Sequence, residues 1–102
     1  MLTIGRPRAI SSPSLSRPRA VVIGSGLGGL AAAIRLGVRG YRVTVVEKLS
    51  GPGGRAGVLR QDGFAFDLGP TIVTAPFLFE ELWALCGRRM ADDVELRAMT
   101  PF

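Results

Sequence analysis

Apolar residues along the chain fall into short runs whose spacing switches between strand and helix periods. Ala20-Val21-Val22-Ile23 is an unbroken apolar, mostly β-branched run, the pattern of a strand buried on both faces of a parallel sheet. From Leu27 to Arg39, Leu30, Ala31, Ile34 and Val38 recur at helical spacing, Arg35 and Arg39 fall to the other side, and Gly40 supplies the stop. Tyr41 to Val46 is β-branched again and ends at Glu47. Strand, helix and strand in such quick succession predict a βαβ unit with a right-handed crossover.

Beyond Glu47 the pattern breaks into KLSGPGGRAG, a Gly- and Pro-rich stretch in place of the second crossover helix of a plain doubly wound domain. Val58-Leu59-Arg60 and Phe64-Ala65-Phe66 then flank Gln61-Asp62-Gly63, and Asp-Gly between apolar runs predicts a hairpin. A loop, Leu68-Gly69-Pro70-Thr71, leads to a helix over Pro76 to Cys86. Pro76 lies near its first turn, Glu80 and Glu81 lie early where the helix dipole favours anions, and Gly87 follows its end. Phe79, Leu82, Trp83 and Cys86 share one face of that helix, which makes Cys86 core filler rather than a nucleophile. Val94 to Met99 predicts a closing strand.

Charge changes the picture less than its total suggests. The chain of 102 residues carries 13 Lys and Arg against 8 Asp and Glu, a net charge of +5. Arg6, Arg8, Arg17 and Arg19 all lie within residues 1–19, which contain no acid. The rest is near neutral, so a nucleic-acid partner is not expected. This Ser-, Pro- and Arg-rich leader is too poor in apolar residues to pack and is expected to be disordered. Pro7, Pro13 and Pro18 would break the amphipathic helix of a transit peptide. Residues 20–34 are uncharged, but the run is too short and too Gly-rich to span a membrane. No secretory signal is evident, and a cytoplasmic location is expected, with a single Cys that fits a reducing compartment. The absence of His removes His-dependent nucleophilic and metal sites. No metal is expected, and a cofactor must carry any redox chemistry.

The 14 glycines are about twice the average usage of ~7%, and their placement carries the functional signal. Gly24-Ser25-Gly26-Leu27-Gly28-Gly29 is a G-x-G-x-x-G turn directly after a strand and opening a helix. In that context the first Gly serves the tight turn, the second lets backbone approach a pyrophosphate, and the third lets helix pack on strand. Free amides and the positive helix end face the phosphates. Glu47, at the end of the second strand, is placed to accept hydrogen bonds from adenosine ribose hydroxyls and to repel a 2′-phosphate, which disfavours NADP. Lys48 follows it and joins the candidate site. A dinucleotide is the expected ligand.

The runs VVIGSGLGGLAAAIRL from Val21, VTVVEK from Val43, GPGGRAG from Gly51, DGFAFDLGPTIVTAP from Asp62 and FEELWALCGRRMADDVELRAMTPF from Phe79 resemble the bacterial-type FAD-dependent phytoene desaturases. These belong to the wider group of carotenoid desaturases and flavin amine oxidases. The resemblance covers residues 20–102 and implies FAD as cofactor. It adds Gly53, Gly54 and Arg55, where backbone can approach a large ligand and a guanidinium fork can meet a pyrophosphate or flavin edge. It also adds Gly69, Pro70 and Thr71 as flavin contacts, and leaves the catalytic residues unknown.

The implied fold is α/β: a Rossmann-like FAD/NAD(P)-binding βαβ unit, then a hairpin and a helix, an incomplete portion of a larger flavoprotein fold. The division expected is a leader over 1–19 and the N-terminal part of an FAD-binding domain over 20–102. The implied activity is dehydrogenation of a carotenoid polyene such as phytoene in carotenoid biosynthesis, at or near a membrane surface. As an N-terminal fragment the chain itself is expected to be inactive. Two other readings stay open. One is the FAD-binding part of another flavin oxidoreductase, such as an amine oxidase, carotenoid isomerase, ketolase or retinoid saturase. The other is a non-catalytic NAD-binding module.

Overall fold

The computed structural model describes residues 2–4 and 16–101. Three strands form one sheet: β1 (Leu2–Ile4), β2 (Arg19–Ile23) and β3 (Arg42–Val46), in the order β1-β3-β2. β2 and β3 run parallel, with Ala20 opposite Val43 and Val22 opposite Val45, while β1 pairs antiparallel with the other edge of β3. Helix α1 (Leu27–Val38) connects the parallel strands. The predicted βαβ unit is therefore present, ending at Arg39 and Gly40 as the sequence indicates.

The core is small and sits between α1 and the central strand. Ala33, Val43 and Val45 are fully buried, with Ala20, Val22 and Leu36 packed around them. β2 differs from its predicted burial on both faces. Ala20 and Val22 face α1, whereas Val21 and Ile23 point the other way and are 65% and 87% exposed. A helix packs against one side only, so period-two alternation appears in a strand whose composition reads as doubly buried.

Leu2–Ile4 departs from the disordered leader of the sequence reading: this short, mostly β-branched segment extends along β3 at Leu2↔Val45 and Ile4↔Val43 and satisfies that edge. The rest of residues 1–15 lies outside the described residues.

The hairpin forms as expected, β4 (Val58–Gln61) against β5 (Phe64–Asp67), through Asp62 and Gly63 at φ 52° and 80°. Such paired positive angles match the right-handed strand twist. α2 spans Pro76–Leu85 with Pro in its first turn. Three details of this region differ from expectation. Glu80 and Glu81 lie beyond the first turn, and Glu81 instead pairs with Arg35 of α1 at 3.1 Å. Cys86 is exposed, because it caps the helix C-terminus instead of continuing the half-buried face of Phe79, Leu82 and Trp83. Residues 94–99 form no strand. The chain instead turns at Met90–Asp92, burying Met90, and Trp83 Nε1 donates to Asp93 Oδ2 at 2.7 Å to pin that turn to α2.

Candidate functional site

The G-x-G-x-x-G turn occupies the junction of β2 and α1. The Gly24 N–H donates to Val46 O at 2.7 Å, which holds the turn against the end of β3. Gly26 is the N-cap of α1, and its carbonyl accepts the first helical bond from Leu30 at 2.9 Å. No side chain caps this helix and its first turn carries no acid, so the first-turn amides and the positive helix end remain available to an anion.

The glycines of this turn separate into two kinds. A Cβ at Gly29 would collide with the Gly24 carbonyl, which ties that position to packing of helix on strand. A Cβ at Gly26 or Gly28 would meet nothing within 4 Å. The space in front of the helix end is open, as a site for a pyrophosphate requires.

One remote segment meets this turn, and a second packs on the first. The Gly53 N–H donates to Ser25 O at 2.8 Å, and Gly26 and Gly53 form a parallel bridge. A Cβ at Gly54 would lie 2.9 Å from Gly26 Cα. The Leu68 N–H donates to Gly57 O at 3.0 Å, and Gly69 lies so close to the Arg55-Ala56 backbone that a Cβ there would be 2.5 Å from Arg55 O. The result is a cleft of about 880 Å³ lined by Gly26, Leu27, Gly53, Gly54, Arg55, Ala56, Leu68, Gly69 and Pro70. Arg55 is exposed there and has no acidic partner among the described residues.

Glu47 is held beside the turn by three donors. Oε1 accepts from the Ser25 amide at 2.9 Å and the Ser25 hydroxyl at 2.7 Å, and Oε2 accepts from the Leu49 amide at 2.9 Å. The Leu49 amide, then the Ser25 hydroxyl and amide, lower its pKa from 4.5 to about 2, because each donor favours the charged form. The carboxylate is ionised at every ordinary pH.

The candidate residues thus gather in one region, with one exception. Gly24, Ser25, Gly28 and Gly29 build the turn behind the cleft, Glu47 is bound to it, and Lys48 follows on an exposed bend. Thr71 lines a separate hollow with Ile72, Val73, Leu96 and Met99. Ala56 and Leu68, which the motif reading passes over, line the main cleft. Their only sequence signal is adjacency to Arg55 and Gly69. No cluster of three or more potential metal ligands occurs among the described residues.

This βαβ unit with an open, uncapped glycine turn and an anchored acid defines a dinucleotide-binding domain. Residues 22–89 match the NAD(P)-binding Rossmann-like domain family, and the chain belongs to it.

Among curated proteins, the chain is 58% identical over 91 residues to a neurosporene-forming phytoene desaturase of Cereibacter sphaeroides, covering 89% of this chain and 18% of that protein. It is 62% identical over 84 residues to a neurosporene-forming phytoene desaturase of Rhodobacter capsulatus, covering 82% of this chain and 16% of that protein. It is also 51% identical over 90 residues to a zeta-carotene-forming phytoene desaturase of Myxococcus xanthus, covering 88% and 17% respectively. The chain therefore spans less than a fifth of the length of these relatives.

Proposed function

We propose that the chain binds the dinucleotide part of FAD within a phytoene desaturase-like oxidoreductase that dehydrogenates a carotenoid polyene. The observation that carries this reading is the meeting of two glycine-rich runs, around Gly26 and Gly53, and the Leu68-Gly69-Pro70 loop on one cleft. The names of the relatives supply the substrate class.

When bound, FAD supplies the hydride acceptor for desaturation. The first-turn amides of α1 hold the pyrophosphate, and the open position at Gly26, which lines the cleft, gives it room. Glu47 accepts from a ribose hydroxyl and repels a 2′-phosphate, which favours FAD or NAD over NADP. Arg55 offers a cationic fork to a phosphate or the flavin edge, and Leu27, Leu68 and Pro70 give the cleft apolar walls. Exposed Phe77 and Leu78 on α2 support work at a lipid surface. Among the described residues no helix is long and apolar enough to cross a membrane.

The full-length oxidoreductase of which this chain is proposed to be part, purified and supplied with FAD and phytoene in lipid vesicles, tests the reading, with products resolved by chromatography. Appearance of desaturated carotenes supports it, and flavin-loaded protein that leaves phytoene and later carotenes untouched contradicts the substrate assignment. A second polyene chemistry has a specific observation behind it. The chain is 47% identical over 83 residues to a 4,4'-diapolycopene oxygenase of Methylomonas sp. Oxygenated products from a fully desaturated polyene in the same assay would favour that reading.

A further inference from the structure

Ser25 is the one polar residue among those described whose side chain is fully buried, at 0% exposure. A side chain with no accessible surface does not itself touch a ligand. Its groups instead join the three parts of the site. The hydroxyl and amide both donate to Glu47 Oε1, and the carbonyl accepts from the Gly53 N–H. Counting acceptors sharpens this. A carboxylate offers about four lone-pair directions. Ser25 occupies both on Oε1, while the Leu49 amide donates to Oε2 and the Lys48 amide is a weaker further donor to the carboxylate, so Ser25 leaves Oε1 no room for a ligand.

We propose that Ser25 is a positioning residue for nucleotide recognition: its hydroxyl fixes the Glu47 carboxylate so that Oε2, and not Oε1, meets the ribose. The proposal rests on the dinucleotide reading of the site. It makes the residue between the first two glycines of the turn a determinant of how strongly the ribose is read, through an acid 22 positions away in sequence.

The test compares binding of ADP, the part shared by FAD and NAD, with binding of 2′,3′-dideoxy-ADP, which lacks the ribose hydroxyls. Calorimetry is run on the purified protein and on its Ser25→Ala and Glu47→Gln variants. A hydrogen bond to a charged group is worth about tenfold in affinity. The unsubstituted protein is expected to prefer ADP by about that factor. Ser25→Ala should lose most of this preference while keeping its affinity for the dideoxy compound, and adding Glu47→Gln should cost nothing further.

A Ser25→Ala variant that keeps the full preference overturns the role of Ser25. An unsubstituted protein that binds both nucleotides equally overturns the ribose reading of Glu47 and the proposal with it. If Ser25→Ala does not fold, Ser25→Cys, close in size and a weaker donor, carries the same comparison, with a preference reduced as support and a preference unchanged as refutation.

Discussion

Single residues in this protein act through what lies immediately against them, and the glycines show it best. At Gly29 and Gly69 an added methyl group strikes backbone, which cannot swing aside. Gly29→Ala and Gly69→Ala are each expected to cost about 1–3 kcal/mol, read as a lower urea midpoint. The packing role of Gly29 was legible from its place in the motif. That of Gly69 was not, because the backbone it meets belongs to Arg55 and Ala56, brought there only by the fold.

The same holds for Glu47. Its position at the end of β3 marks it as an acid facing a nucleotide, but the donors that lower its pKa come from the Ser25 turn and from Leu49. Because the folded value lies below the unfolded one, this carboxylate stabilises the fold above about pH 4.5. That contribution fades as the pH falls toward about 2. Glu47→Gln should flatten this acid limb, measured as melting temperature against pH. A limb unchanged in the variant would contradict the assignment.

Elements were readable where their signal was local. β2, α1, β3 and the hairpin each carry a complete pattern in consecutive residues, and the Asp62-Gly63 turn forms as its sequence demands. Asp62 stands at φ 52°, where a β-branched side chain is strained. Asp62→Val is therefore expected to lower stability by about 1–2 kcal/mol, whereas Asp62→Gly should not. Residues 94–99 form no strand although Val94, Leu96 and Ala98 alternate with Glu95 and Arg97, because an alternating sequence becomes a strand only beside a free sheet edge. Here the Trp83–Asp93 bond and the buried Met90 direct the chain elsewhere. Cys86 went astray for a similar reason: helical periodicity continues past the point where the helix stops.

At the scale of the whole molecule, two glycine-rich runs and the loop at Gly69 are folded into one cleft while much apolar surface stays outside the core. Val21 and Ile23 are 65% and 87% exposed on an edge strand, and an open apolar edge invites pairing with another chain. The 102-residue polypeptide should self-associate in a concentration-dependent way, and Ile23→Lys should reduce this in sedimentation velocity.

The class of nucleotide site could be read from the first turn and Glu47 alone. The cleft could not, since it depends on the contacts of Gly53 and Gly69 with segments distant in sequence.

Gly26 offers the most direct test, because a Cβ there meets nothing within 4 Å and the residue lines the cleft assigned to the pyrophosphate. Flavin absorbance per mole of purified protein should therefore collapse in Gly26→Val while the melting temperature of the flavin-free protein is unchanged. Undiminished flavin binding by Gly26→Val would contradict the assignment of this cleft to the dinucleotide.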